Sequence, residues 1–211
     1  MGKTLYAMRH AETLFNLQGK IQGWCDSPLT DRGIEQAKAA GRLIAHTGAT
    51  FTHAYCSTAE RCSDTLEIAT TEAFGAALAY ERLKGLREMS FGQFEGKDEF
   101  LNPPSPYGDF FVAYGGESDE QVTERIGSTL TSIMERPGHE SVLVVSHAGA
   151  LIHFFLDYAE HDKMRITQFS NCMIYVFEHE EGVFHAKDIL IPDLSHLEQP
   201  GMPPQIKNVR F

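Results

Sequence analysis

The apolar run SVLVVS, residues 141–146, constrains the fold of this chain more than any other feature. Its four central residues are all apolar, which is typical of a strand covered on both faces of a sheet. Strands of this kind are expected in parallel sheets that are covered by helices on both faces. The chain then turns directly into HAGALIHFFLDY, residues 147–158, which is predicted to be helical. Together the two segments indicate an α/β protein.

Strands and helices are predicted to alternate along the rest of the chain. One helix is expected at 30–46, where Thr30 can cap the first turn, and another from about 119 to 135, after the capping box Ser118-x-x-Gln121. A second capping-box pattern, Ser57-x-x-Glu60, predicts the start of a third helix. The further predicted strands are 3–8, 52–57, 172–179 and 183–190. This alternation predicts a three-layer α/β/α sandwich with a mostly parallel central sheet.

Length and composition favour a single domain over residues 1–211, since 211 residues with 42% hydrophobic side chains can bury one substantial core. A short insertion at about 97–116 is rich in Pro, Gly and aromatic residues and is expected to cap one edge of the sheet. Most of its aromatic side chains are expected to pack the cap onto the domain. The proline-containing tail at about 192–211 is predicted to be irregular.

The net charge argues against two classes of partner. A formal charge of −11, from 18 basic and 29 acidic residues, makes general binding of nucleic acid or anionic membrane unfavourable. We expect a cytoplasmic protein, because no apolar run reaches transmembrane length and the N-terminus has no long apolar segment. The four cysteines have neither zinc-site nor disulfide spacing and are expected to be free thiols.

Three predicted strands end in polar residues. Arg9 and His10 follow the first strand, Ser57 and Arg61 follow the second, and His147 follows the apolar run. Any one of these residues alone is more often an ordinary surface, capping or structural residue. The carboxyl ends of parallel strands share one edge of a sheet, however, and helix N-termini there add N–H donors. Two guanidinium groups and two imidazoles at that edge predict an anion site, with phosphate as the best match.

A metal site is not predicted, and neither is a cofactor. The chain has ten histidines but no H-x-x-x-H or H-E-x-x-H pattern on a predicted helix. The two arginines beside His10 and His147 would also repel a cation.

These residues lie in motifs that resemble those of the histidine phosphatase superfamily, also called the phosphoglycerate mutase-like family. RHAETLFN resembles the signature R-H-G-E-[ST]-x-x-N, and LREMSFGQFEG resembles L-x-E-x-x-F-G-x-x-E-G. QGWCDSPLTDRGIEQA, CSTAERCSDT and VLVVSHAGAL match further family motifs. The resemblance covers roughly residues 3–189 in the correct order. It implies the same α/β/α fold.

The resemblance implies a role for each matched residue. His10 is expected to be the nucleophile, with its other ring nitrogen donating to a backbone carbonyl, and Glu88 to be the general acid. The expected ligands of the phosphoryl oxygens are Arg9, Arg61 and a charged His147. The further expected substrate-binding residues are Asn16, Gln22, Gly23, Ser57 and Ala148.

The chain departs from the family pattern at two positions near the expected phosphate. Ala11 and Ala148 stand where the family usually has Gly, and a methyl group fits there if the backbone φ angle is negative.

Three functions are compatible with the motifs. We expect a metal-independent phosphomonoester hydrolase that acts on a small phosphorylated metabolite through a phosphohistidine. The alternative is a phosphoglycerate mutase, which the resemblance implies would carry a longer, more basic insertion after Glu88. A non-catalytic phospholigand-binding module is less favoured, since His10 and Glu88 are both present. The alcohol that is released and the oligomeric state stay open.

Overall fold

The computed structural model describes residues 2–160 and 169–197. The predicted irregular tail therefore lies largely outside the described residues, which include only 192–197 of it. That short part contains a 3-10 turn, Ser195–Leu197.

The described strands form one mixed seven-stranded sheet with the order β3-β2-β4-β1-β6-β7-β5. Its strands are β1 (Lys3–Arg9), β2 (His53–Ser57), β3 (Glu81–Leu83), β4 (Ser141–Ser146), β5 (Ala159–Glu160), β6 (Ile174–Glu180) and β7 (Val183–Leu190). The four strands β3-β2-β4-β1 are parallel to one another. β6 is antiparallel to β1 and β7, and β5 is parallel to β7. The prediction of a mostly parallel sheet is confirmed.

Helices cover both faces of this sheet. The helices that cover them are α2 (Asp31–Thr47), α3 (Glu60–Phe74), α4 (Asp119–Glu135) and α5 (Ala148–Tyr158). A short helix, α1 (Leu14–Gln18), has no buried residue. One apolar cluster joins α4 and α5 to the sheet, and a second joins α2 and α3 to its other face. The predicted three-layer α/β/α sandwich is therefore confirmed. None of the described helices has the length and apolar character of a membrane span.

The position of β4 between two layers of helices explains why its sequence is apolar at every interior position. Val142 and Val144 point into the cluster with α4 and α5, whereas Leu143 and Val145 point into the cluster with α2 and α3. All four side chains are fully buried. Because alternate residues of a strand face opposite sides, a strand between two helical layers needs apolar residues at both parities.

Two of the predicted helix starts are confirmed by their caps. The Thr30 hydroxyl accepts the Gly33 N–H at 2.9 Å, and the Ser118 hydroxyl accepts the Gln121 N–H at 3.2 Å. The Gln121 side chain in turn accepts the Ser118 N–H, which completes the capping box.

The predicted capping box at Ser57 is wrong. Helix α3 begins at Glu60 with Ala59 as its N-cap, and no side chain caps it. Ser57 is the last residue of β2, as the predicted strand 52–57 has it, and its hydroxyl lies within hydrogen-bonding distance of His147. Helix α1 and strand β3 were not predicted, since both are short and neither has a regular apolar period.

The insertion 97–116 packs through its aromatic residues, as expected for most of them. It contains two short 3-10 helices, Glu99–Leu101 and Phe110–Tyr114. Phe111 is fully buried and makes edge contacts with Phe91 and Phe94. Phe100 is an exception, with 81% of its surface exposed.

Candidate active site

The register of the parallel strands aligns the polar residues at their carboxyl ends. Arg9 pairs with Ser146 across β1 and β4, and the His10 N–H donates to the Ser146 carbonyl at 3.0 Å. β2 pairs with β4 in a register that places Ser57 beside His147. The predicted anion site thus has its polar groups on one edge of the sheet, as parallel strands require.

His10 is buried and held in one tautomer. Its Nδ1 atom lies 2.7 Å from the carbonyl oxygen of Ala11, and its exposed fraction is 5%. A carbonyl can only accept, so Nδ1 carries the proton and Nε2 keeps a lone pair. Burial, together with the charges of Arg61 and Arg9, holds the pKa of His10 well below its ordinary value. The predicted backbone contact of the second ring nitrogen is confirmed.

Arg61 is fully buried at the centre of the site. Its Nη1 donates to the Cys25 carbonyl and the Asp26 carboxylate, and its Nη2 donates to the Gly23 carbonyl at 2.9 Å. Nη2 also donates to Nδ1 of His147 at 2.9 Å. These contacts place a fixed positive charge near both imidazoles.

His147 is neutral in this arrangement, so the prediction of a charged His147 is wrong. Its Nδ1 must accept from the Arg61 guanidinium, which has no lone pair to offer, and its Nε2 lies 2.8 Å from the Ser57 hydroxyl. Burial and the Arg61 charge hold the pKa of His147 well below its ordinary value. The rings of His10 and His147 lie 5.3 Å apart, measured between their centroids.

Arg9 has capacity for a further acceptor. Its Nη1 donates to the Phe169 carbonyl, but its buried Nε has no hydrogen-bond partner within residues 2–160 and 169–197. Burial lowers the pKa of Arg9, and Glu88 acts in the opposite direction.

Glu88 lies at the N-terminus of α5. Its Oε1 accepts the N–H groups of Met89 and Ala150, and its Oε2 accepts the Gly149 N–H at 2.9 Å. A helix N-terminus favours a negative group, because its first N–H groups lack partners within the helix. Glu88 is 8% exposed, so the structure fixes its carboxylate at the same sheet edge as His147.

The remaining predicted substrate-binding residues contact the supporting structure of the site. Gly23 receives an Arg61 bond on its carbonyl and donates its own N–H to Glu95. With its amide oriented to satisfy both neighbours, Gln22 donates to Thr13 and accepts from Arg61 Nε at 3.2 Å. With Gln22 included, every N–H of Arg61 has an acceptor.

Asn16 and Ser57 also make contacts within the protein. The side-chain oxygen of Asn16, Oδ1, accepts the Thr13 N–H as part of the capping box at the start of α1. The Ser57 hydroxyl accepts the Ala59 N–H at 3.2 Å and contacts His147. Both acceptor positions of Ser57 are then used, which leaves its O–H free to donate.

The two alanines that replace the usual glycines fit the backbone. Among the described residues other than Gly, positive φ occurs only at Cys172 and Glu181, so Ala11 and Ala148 have negative φ. Ala148 is the first residue of α5, directly after His147. A methyl group at either position is therefore compatible with the site.

Sequence reasoning missed Glu95, which organises the loop beneath Arg61. Its carboxylate accepts the N–H groups of Gly23, Trp24, Cys25 and Phe91, at 2.8 to 3.1 Å. The only signal for Glu95 was its place in the motif FGQFEG, residues 91–96, which by itself assigns it no role. Arg125 was missed as well, because an arginine within an amphipathic helix carries no sequence signal of its own.

Within the described part of the chain, no group of three or more His, Cys, Asp or Glu side chains could hold a metal ion. Cys62, although close to His147, is a buried thiol whose pKa burial raises well above its ordinary value.

A family model of the histidine phosphatase superfamily (branch 1) matches residues 5–191. The chain is 29% identical to the probable phosphoglycerate mutase GpmB of Salmonella paratyphi A, over 94% of this chain and 96% of that protein.

Two solved structures are similar across nearly the whole chain. A phosphoglycerate mutase from Bacillus anthracis has a TM-score of 0.79 at 25% identity, covering 93% of this chain and 95% of its own. A phosphoserine phosphatase from Entamoeba histolytica, in complex with 3-phosphoglyceric acid, has a TM-score of 0.70 at 25% identity. That alignment covers 90% of this chain and 98% of the other.

Proposed function

Since the chain belongs to the histidine phosphatase superfamily, we propose that it is a phosphomonoester hydrolase using a covalent phosphohistidine on His10. Its substrate is a small phosphorylated metabolite, and no metal ion takes part. One observation carries the proposal: the Ala11 carbonyl fixes the proton on Nδ1 of His10, so that Nε2 has its lone pair available. Two nearby guanidinium groups match the charge of a phosphoryl group.

In the first step, Nε2 of His10 attacks phosphorus and the bond from phosphorus to the ester oxygen breaks. The imidazole gains positive charge, which the Nδ1–H bond to the Ala11 carbonyl stabilises. Arg9 and the Ser57 O–H donate to the nonbridging oxygens. Arg61 contributes its charge, and a direct bond would require a phosphoryl oxygen to replace one of its present acceptors. Positioning and charge stabilisation of this kind account for most phosphoryl-transfer catalysis.

Glu88 handles the proton in both steps. It gives a proton to the leaving alkoxide in the first step and takes one from water in the second, when the bond from nitrogen to phosphorus breaks. Its carboxylate accepts the Gly149 N–H in the first turn of α5, two residues after His147, which supports this role.

The composition of the cap favours hydrolysis over mutase activity. A mutase must hold the carboxylate of phosphoglycerate, yet the insertion 97–116 has Lys97 as its single basic residue. The Lys97 ammonium lies 4.8 Å from the centre of the Phe94 ring, and Asp98 pairs with Lys20. The mutase names of the Salmonella and Bacillus relatives keep phosphoglycerate mutase as the second candidate.

The test is phosphate release from a panel of phosphomonoesters, measured with a metal chelator present. Wild type should hydrolyse several esters, and His10→Ala should release no phosphate above background. A parallel assay should follow conversion of 3-phosphoglycerate to 2-phosphoglycerate. Mutase exchange without phosphate release would replace the hydrolase proposal with the second candidate. Binding of phosphorylated ligands without either reaction would favour a non-catalytic module.

A further inference from the structure

Arg125, in the second turn of α4, is bonded to the backbone around Glu88 rather than to the phosphate site. Its Nη1 donates to the carbonyls of Gly85 and Arg87, at 3.0 and 2.9 Å, and its Nη2 donates to the Glu88 carbonyl at 3.2 Å. The remaining N–H groups make two bonds of 2.8 Å to the Glu117 carboxylate. All five donors of the guanidinium group are used.

Glu117 completes the contact on the other side of Glu88. Its Oε2 atom accepts the Ser90 N–H at 2.8 Å. Arg125 donates one bond to each of the two Glu117 carboxylate oxygens. The Arg125–Glu117 pair therefore holds the main chain on both sides of Glu88. We call this pair the Arg125 clamp. Arg125 is 20% exposed and Glu117 is 17% exposed, so both charges are largely shielded from solvent.

The segment held by the clamp has little regular structure of its own. A single 3-10 turn, Lys84–Leu86, precedes Glu88, and the chain after it is irregular up to Gly92. Carbonyls in such a segment need partners outside it. A lysine could supply one charge there, but only an arginine offers a planar fork that reaches several carbonyls and a carboxylate together.

We propose that Arg125 is a positioning residue that sets the location of the Glu88 carboxyl group during proton transfer. The inference rests on the proposed function, in which Glu88 is the proton donor. The Glu88 carboxylate accepts three N–H groups, from Met89, Gly149 and Ala150. Protonation removes the negative charge of the carboxylate, so these three charge-assisted bonds become weaker. In that form, the clamp on the main chain fixes where the proton is held.

A purely structural role for the clamp predicts a different result from a positioning role. Loss of general stability lowers the amount of active enzyme equally for every substrate. Loss of proton-donor geometry slows only those esters whose leaving alkoxide needs a proton. The comparison of kcat/KM for an alkyl phosphate and for 2,4-dinitrophenyl phosphate separates the two, because kcat/KM reports the step that releases the alcohol.

The experiment uses Arg125→Met and Arg125→Lys, with Arg136→Met as the matched control. Arg136 directly follows the other end of α4, where it contacts the Tyr55 hydroxyl at 3.0 Å. For glycerol 2-phosphate, we expect both Arg125 variants to lose at least about tenfold in kcat/KM. This is smaller than the whole rate contribution of a general acid, because Glu88 itself is still present. For 2,4-dinitrophenyl phosphate, we expect a loss below about threefold, since that leaving group needs no proton. The control should change neither value.

A second comparison ties the effect to Glu88. If Arg125 acts through Glu88, adding Arg125→Met to a Glu88→Gln enzyme should cause no further loss with glycerol 2-phosphate. Equal losses with both esters, no loss with either, or additive losses in the double variant would overturn the inference while leaving the hydrolase proposal intact. If neither Arg125 variant folds, as judged by thermal melting, Glu117→Gln makes the same comparison with the Arg125 carbonyl bonds retained. If wild type hydrolyses other esters of the panel but not glycerol 2-phosphate, an alkyl phosphate that it does hydrolyse takes its place. If wild type releases phosphate from no ester of the panel, the proposed function fails and this inference fails with it.

Discussion

The Nδ1 atom of His10 lies 2.7 Å from the carbonyl oxygen of Ala11, the next residue in the chain. This one contact decides which ring nitrogen of a buried imidazole keeps its lone pair. It depends only on the backbone just after β1, and both residues are almost fully buried. The tautomer that the proposed nucleophile needs is therefore set by the strand end itself rather than by a separate side chain.

This tautomer is directly observable. We expect nitrogen chemical shifts of imidazole-labelled protein to show His10 neutral near pH 7, with the proton on Nδ1. Its pKa is held well below the ordinary value by burial and by Arg61 and Arg9, so the neutral form should persist when the sample is acidified. A doubly protonated His10 near pH 7, or a proton on Nε2, would contradict the assignment.

Stability should fall as the pH falls below about 6.5, the ordinary pKa of histidine. Burial lowers the pKa of both His10 and His147, so the unfolded chain binds protons there that the folded chain does not. This loss of stability is absent above the ordinary pKa of histidine. As the pH falls, it grows until the pH reaches the lower pKa of the folded state. Each imidazole contributes at most about 1.4 kcal/mol per pH unit within that window.

Urea unfolding at several pH values measures this slope. His10→Asn removes one of these titrating groups and should reduce the slope. The control is His46→Asn, an exposed change on α2 that leaves His10 and His147 in place. An unchanged slope in His10→Asn would show that His10 is not the source.

The loop that supports Arg61 should depend strongly on Glu95. We expect Glu95→Gln to lower the free energy of unfolding by about 1.5 to 3 kcal/mol, since its carboxylate accepts four backbone N–H groups. The matched control is Glu72→Gln, which weakens an exposed pair with Arg42 and should cost less than about 1 kcal/mol. Equal effects of the two changes would argue against this role of Glu95.

Gly149→Ala should displace the Glu88 carboxylate. A Cβ atom at this position would lie 2.6 Å from Glu88 Oε1, closer than such contacts occur, so the carboxylate must shift. We expect lower stability, by about 1 to 3 kcal/mol, and a larger loss of kcat/KM for alkyl phosphates than for 2,4-dinitrophenyl phosphate.

The control for this change is Gly41→Ala. Its Cβ atom would meet the Ala69 carbonyl at 2.3 Å, so it should also lower stability, but at the contact between α2 and α3. If both variants lose activity only in proportion to the loss of folded protein, Gly149→Ala does not act by displacing the Glu88 carboxylate.

Much of the fold could be predicted because the sheet is buried on both faces. The apolar run of β4 and the capping residues Thr30 and Ser118 each carry a local signal with a direct physical cause. Ser57 shows the limit of such signals. A capping-box pattern was present, yet the strand continued through Ser57 and its hydroxyl contacts His147 instead.

The sequence could predict which residues lie together at this edge of the sheet, but it could not predict their protonation states as well. Strand ends pointed to Arg9, His10 and His147, whereas the neutral state of His147 follows from the Arg61 bond to its Nδ1. That bond joins residues 86 positions apart. Glu95 and Arg125 bind backbone groups that are distant in sequence, and no local sequence pattern indicates such contacts.

The proposed phosphohistidine on His10 can be trapped and detected directly. The enzyme is mixed with an excess of a phosphomonoester that it hydrolyses, quenched in alkali, digested and analysed by mass spectrometry. We expect one added phosphoryl group on the peptide that contains His10, and none in His10→Ala. Steady turnover by His10→Ala, or a phosphoryl group on His147 rather than His10, would contradict it.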